Sequence, residues 1–130
     1  MGILIDTSIL VAVERDLIDI EAVTHENDRY SISVVTAAEL LHGVHRASGK
    51  RARSRSAYVE SLLARFDPIS ISVPIARAYA AASAELARRG TPVDPNDLWI
   101  GATAIAENLR IAALDGDFDR IPGVKRISLT

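Results

Sequence analysis

Ile3-Leu4-Ile5-Asp6-Thr7-Ser8 is the stretch that most restricts the fold. Apolar residues in unbroken succession, mostly β-branched, favour a strand, and the lack of polar alternation fits a strand covered on both faces. Such strands belong to parallel sheets flanked by helices, so the segment predicts an α/β fold. The run stops at Asp6, which puts a carboxylate at the strand's carboxyl end. That is the edge where open α/β sheets bind ligands.

The rest of the chain brings three more acids to comparable positions. After Ser8, a candidate N-cap, Ile9 to Val13 predict a short helix, and Leu17 to Val23 a second. Ser31 to Val35 alternates and then turns apolar, as a strand ending near Thr36 would. Thr36-Ala37-Ala38-Glu39 has the spacing of a capping box. Glu39 therefore has two readings, a capping side chain or a carboxylate facing a cleft from a largely apolar helix. Glu39-x-x-His42 also has the spacing of two ligands on one helical face, but a di-iron bundle needs that pattern twice and it occurs once. His42 and His45 are thus expected to face a partner or lie partly buried, and His25 falls in a polar loop.

Tyr58, Val59, Leu62, Leu63 and Phe66 space an amphipathic helix ended by Asp67-Pro68. Ile69 to Val73 alternates as a short strand, and Pro74 to Arg89 predicts a long alanine-rich helix closed by Gly90. Its small residues permit close packing, including between subunits. A rigid loop from Thr91 to Pro95 leads into an apolar helix from Asn96 to Ala106, with Asp97 in its first turn. Ile111 to Leu114 reads as another buried strand, followed by Asp115-Gly116-Asp117-Phe118, and the tail, including Ile127 to Leu129, as an edge strand. Ordinary local roles exist for each acid: a cap, a first-turn aspartate, a turn pair.

Taken together, Asp6, Glu39, Asp97 and Asp115 stand at strand ends and helix starts, which are neighbouring loops on one edge of such a sheet. Converging carboxylates repel by several kcal/mol per close pair at an effective dielectric of about 20. Either some protonate or a cation sits among them. The chain has no cysteine, so any metal must be held by oxygen or imidazole, and an all-oxygen set suits Mg2+ or Mn2+. Such a site performs metal-assisted phosphodiester hydrolysis, in which the ion activates water and neutralises phosphate charge.

Composition narrows the remaining classes. A chain of 130 residues fits one domain, and the absence of cysteine is compatible with a reducing compartment. No signal-peptide pattern opens the sequence and no apolar run approaches the roughly 18 residues of a membrane span, so a cytoplasmic protein away from membranes is expected. The formal net charge of −2 gives no bulk nucleic-acid footprint. Distribution matters more: Arg46, Lys50, Arg51, Arg53 and Arg55 crowd one stretch with no acid among them. That cluster is either a solvated surface or a phosphate-tracking patch.

In order and spacing, Ile5-Asp6-Thr7-Ser8, Thr36-Ala37-Ala38-Glu39-Leu40, Asn96-Asp97-Leu98-Trp99-Ile100-Gly101-Ala102 and Leu114-Asp115-Gly116-Asp117-Phe118 resemble the PIN-domain ribonucleases, and more narrowly the VapC toxins of bacterial toxin–antitoxin pairs. The resemblance spans Ile3 to about Ile127. It implies a single PIN-like domain with a mainly parallel, twisted sheet flanked by helices. It also implies a Mg2+- or Mn2+-dependent endoribonuclease that forms homodimers and is inhibited by a cognate VapB-type antitoxin. Carried over by position, Asp6, Glu39, Asp97 and Asp115 are the catalytic acids. Asp6, Asp97 and Asp115 would hold the metal, with Glu39 acting through water, and Ser8, Asn96 and Asp117 would support them. The family often has threonine where this chain has Ala113, so Asp115 and Asp117 compete for the fourth position; Asp115 is favoured because it directly follows the apolar strand. The basic cluster would meet RNA or an acidic stretch of antitoxin.

Two rivals share the fold class. A phosphoacceptor receiver domain needs adjacent acids after its first strand and a late lysine, whereas Thr7 and Ser8 follow Asp6 and the lysines are Lys50 and Lys125. A catalytically silent binding module would have no reason to hold repelling acids together.

Overall fold

The computed structural model describes residues 2–24 and 28–127. A parallel sheet forms its centre, in the order β2-β1-β3-β4, with β1 at Gly2–Ile5, β2 at Arg29–Ser31, β3 at Arg110–Ala112 and β4 at Arg126–Ile127. The expected α/β architecture is present, with β1 as an interior strand. Its side chains alternate between two cores. Ile3 and Ile5 pack with Ile9, Leu10, Ile32, Leu40, Val59 and Leu62, while Leu4 packs with Leu86, Leu98, Ile100, Ile111 and Phe118. The strand is hydrophobic throughout because both faces are covered.

Helices supply those covers. α1 (Thr7–Glu14) and a short α2 (Ile20–Val23) follow β1, and α3 (Val34–Arg46) packs on α4 (Gly49–Phe66) against the first core. α5 (Val73–Arg89) packs on α6 (Pro95–Glu107) against the second. A short 3-10 helix (Gly116–Arg120) joins β3 to β4. Among the described residues no helix is long and apolar enough to cross a membrane.

Several boundaries differ from expectation, each through a cap. Asp6, not Ser8, caps α1, its carboxylate accepting the Ser8 N–H. The strand expected over Ser31 to Val35 lies earlier, β2 ending at Ser31: Ser33 is buried and accepts the Val35 N–H at 3.0 Å, so α3 begins at Val34. A cap contributes about 1 kcal/mol, more than the few tenths by which β-branched residues disfavour a helix. Thr36 therefore lies inside α3, and the capping box with Glu39 does not form. Ile69 makes only an isolated bridge to Ser33; the predicted strand there gives way because Ser72 caps α5. α6 starts at Pro95 behind Asp94, and β3 ends at Ala112, leaving Leu114 44% exposed outside the sheet. β4 is an edge strand at Arg126–Ile127; Ser128, Leu129 and His25 lie outside the described residues.

Candidate active site

Asp6 stands where β1 gives way to α1. Its N–H continues the ladder to the Ala112 carbonyl at 2.9 Å, which fixes the backbone, and only 5% of the residue is exposed. Oδ2 accepts from the Ser8 N–H at 3.1 Å and from the Ser8 hydroxyl at 2.6 Å. Burial pushes the Asp6 carboxyl above its ordinary pKa; the Ser8 hydrogen bonds and the Thr7 backbone oppose this, and the charge of Asp115 adds to it. Ser8 reaches further, because its Oγ also accepts the Leu114 N–H at 3.4 Å. The hydroxyl expected to support the first aspartate thus also ties it to the loop that carries the last.

Glu39 projects from the second turn of α3, and Thr7 holds it: the Thr7 hydroxyl donates to Glu39 Oε1 at 2.7 Å. Thr36 Oγ1 lies 3.1 Å from the same hydroxyl and is fully buried. A hydroxyl has one proton and the carboxylate can only accept, so Thr36 donates to Thr7 and completes a chain from α3 through α1 and back. Sequence reading missed both threonines as holders of Glu39. The visible signal was the pair of hydroxyls after Asp6.

Asp97 sits in the first turn of α6. Its carboxyl is pushed up to about 6 by burial first, then by the charges of Asp6, Asp94, Glu39 and Asp115. That list brings all four predicted acids into one electrostatic neighbourhood. Asp6, Glu39, Asp97 and Asp115 also line one cavity of about 450 Å³, together with Thr7, Ser8 and Leu114. Asp115 caps the 3-10 helix through the Asp117 N–H at 2.8 Å. Asp117 itself faces solvent within 3.8 Å of Arg120 and does not line the cavity. Geometry thus places Asp115, not Asp117, with the other acids.

Among the described residues no group of three or more acidic or histidine side chains is gathered closely enough to hold a metal ion. Bare carboxylates repel, so an open cluster is what electrostatics dictates. The donor set fits a hard divalent cation: it is all oxygen, its acids come from four different elements, and burial plus repulsion already penalises the charged forms of Asp6 and Asp97.

Other predicted residues separate. Asn96 lines a neighbouring cavity of about 850 Å³ with His42 and Trp99, a cavity that meets the acid site at Thr7 and Glu39. Trp99 is stacked on Tyr79, ring centroids 3.8 Å apart. His42 and His45 are exposed. Of the basic cluster, Arg46, Lys50, Arg51 and Arg53 are exposed, whereas Arg55 folds inward to pair with Glu14 at 3.3 Å. Arg15, which the sequence did not mark, is exposed on the rim of the acid cavity.

Comparison with known proteins identifies the family and the fold. The family model described as "PIN domain" matches residues 3–124. The chain is 33% identical over 126 residues to "Ribonuclease VapC4" of Mycobacterium tuberculosis, covering 97% of this chain and 95% of that protein. It is similar to a crystal structure of VapBC2 from Rickettsia felis bound to a DNA fragment from their promoter, with TM-score 0.86, 26% identity and 98% of both chains covered. It is also similar to VapBC-5 of the VapBC family of toxin-antitoxin systems from Mycobacterium tuberculosis, with TM-score 0.78, 32% identity and 98% of both chains covered.

Proposed function

The chain belongs to the PIN-domain family, and from that premise we propose that it is the endoribonuclease toxin of a VapBC-type toxin–antitoxin pair, dependent on Mg2+ or Mn2+ and inhibited by a VapB-type antitoxin. The observation that carries the reading is the cavity where Asp6, Glu39, Asp97 and Asp115 meet, with Asp97 pushed up to about 6 by burial and then by the other acids. Asp6, Asp97 and Asp115 would hold the cation, and Glu39 stands beside them, fixed by Thr7. When bound, the ion supplies Lewis-acid charge for the attacked phosphate and lowers the pKa of water.

The protein's own groups do the rest. Ser8 opposes the upward push of burial on Asp6 by donating two hydrogen bonds to its Oδ2. The Thr7 hydroxyl leaves Glu39 Oε2 free to accept a proton from attacking water. Leu114, partly exposed, and Arg15 form the rim over which an RNA strand would enter. The exposed Arg46, Lys50, Arg51 and Arg53 are a surface for RNA phosphates or for the antitoxin; phosphate contacts position a strand without selecting its sequence. A homodimer acting in the cytoplasm on a single-stranded RNA loop, whose base edges are open, completes the reading. A receiver-type phosphoacceptor is set aside, because the matched family is a different one.

The test is cleavage of total cellular RNA by antitoxin-free protein in Mg2+ or Mn2+, beside EDTA and Asp6→Asn. Discrete fragments that vanish in both controls are expected. Fragments that persist with Asp6→Asn would place the activity elsewhere and favour a binding module with a contaminating nuclease.

A further inference from the structure

We propose that Arg126 is a positioning residue for the acid site: reaching from β4, it fixes the chain on both sides of Asp115 and so sets where that carboxylate stands. The inference rests on the divalent-cation reading above and concerns how the fourth acid is held.

One guanidinium spans the turn. Arg126 Nη1–H donates to the Ala113 carbonyl at 3.3 Å, just before Asp115 in the chain. Its Nε and Nη2 donate to Asp119 Oδ1 and Oδ2 at 3.0 and 3.1 Å, just after it. Arginine's donors are fixed in one plane, so bonding to both ends of the turn holds them in a defined relation; a lysine's single ammonium does not offer that fork. The Arg126 side chain is 18% exposed, well covered for its length. The Asp119 hydrogen bond, and then the charges of Asp119 and Asp115, hold the guanidinium above its ordinary pKa. Gly116 packs close by: a Cβ there would meet Asp119 Oδ2 at 3.5 Å and Arg126 Nη2 at 4.0 Å.

Asp115 needs such a hold. Sheet pairing of β3 ends at Ala112, and Asp115 is exposed, so no strand ladder or apolar burial keeps it in place. Asp115 shares its cavity with Asp6, Glu39 and Asp97, and like charges there repel. The Asp117 N–H opposes that at the carboxylate itself, and two further ties hold the segment from outside. On the cavity side, Ser8 receives the Leu114 N–H; on the β4 side, Arg126 grips Ala113 and Asp119. Groups that orient a metal-holding carboxylate from behind change metal affinity by about 10- to 100-fold when removed.

Calorimetric Mn2+ titration of the full chain, with melting curves in EDTA, separates positioning from folding. Arg126→Lys and Asp119→Asn are each expected to weaken Mn2+ binding by about 10- to 100-fold, with most cleavage of cellular RNA restored at saturating Mn2+. Arg120→Ala removes a nearby exposed cation and should leave Mn2+ affinity unchanged. Should Arg126→Lys fold poorly, Arg126→Gln carries the test, because losing a nearby cation would by charge alone strengthen Mn2+ binding, and only lost positioning weakens it. Wild-type Mn2+ affinity in a folded Asp119→Asn or Arg126 variant overturns the proposal, as does an equal loss with Arg120→Ala, which would show that losing any arginine beside the turn weakens the site. A wild-type chain that neither binds Mn2+ nor cleaves RNA overturns the cation reading itself, a distinguishable failure.

Discussion

Asp97→Asn removes one charge from the acid cavity while preserving the side chain's size, and the sign of its effect on stability follows from the site. In the folded chain the Asp97 carboxyl is pushed from 3.8 up to about 6. Below pH 4 it is protonated whether folded or unfolded and carries no penalty. Between about 4 and 6 the folded state holds a proton that the unfolded state has lost, so stability falls as pH rises, and above 6 the full penalty applies. A shift of this size corresponds to about 3 kcal/mol without screening. Asp97 is only partly buried in an open cavity, and screening reduces this to roughly 1 kcal/mol. The asparagine loses up to about 0.5 kcal/mol of favourable interaction with the α6 N-terminus. In EDTA at pH 8 the variant should therefore melt about 2–5 °C above wild type, and at pH 4 level with it. Saturating Mg2+ should reverse the order, because a ligand at a hundred times its Kd adds about 2.7 kcal/mol to a chain that binds it, and the variant has lost a metal-holding charge. Melting curves from pH 4 to 8, with EDTA or Mg2+, read all of this. A variant that melts below wild type in EDTA at pH 8, or that keeps the wild-type slope between pH 4 and 6, would refute the reasoning.

Thr7→Val deletes the hydroxyl that holds Glu39 and nothing of similar size; with about 1.5–3 kcal/mol in a hydrogen bond to a charged group, cleavage should fall by about 10- to 100-fold. Single-turnover rates at saturating Mg2+ check it, and an unchanged rate removes Glu39 from the chemistry. Ser8→Ala breaks both the Asp6 bond and the Leu114 tie, so the Mg2+ concentration for half-maximal cleavage should rise by about tenfold or more. The triple variant Lys50→Gln, Arg51→Gln, Arg53→Gln alters exposed residues only and should leave the melting temperature nearly unchanged. If the cluster tracks RNA, the slope of log affinity against log salt should drop by about 2 for a single-stranded probe. An unaltered slope would assign it to the antitoxin or to solvent.

How far the sequence reached depended on how local the physics was. β1 was legible because Ile3 to Ile5 has no polar break, and Asp6, Asp97 and Asp115 were legible because each ends or begins an element, whereas Glu39 stands in the second turn of α3. The start of α3 was not legible: Val34 and Val35 are β-branched and read as strand with Thr36 as the cap, while the deciding cap, Ser33, is one hydroxyl among several. The Thr7–Glu39 bond joins residues 32 positions apart and leaves no local trace. Asp115 and Asp117 stand two residues apart in the sequence, and the cavity, which Asp115 lines and Asp117 does not, tells them apart. Likewise, nothing in the basic run sets Arg55 aside from its neighbours until Glu14 is seen to meet it from α1. Side-chain partners drawn from distant elements are a property of the packed chain, and the site is built almost wholly from such pairs.

The most direct measurement follows Mn2+ binding and RNA cleavage in one titration, with bound Mn2+ read by electron paramagnetic resonance and fragments sampled at each concentration. Cleavage should rise in step with bound Mn2+, and Asp6→Asn should lose both together. Cleavage that proceeds before Mn2+ binds, or an Asp6→Asn chain that binds and cleaves as wild type does, would contradict the assignment of the chemistry to the four acids.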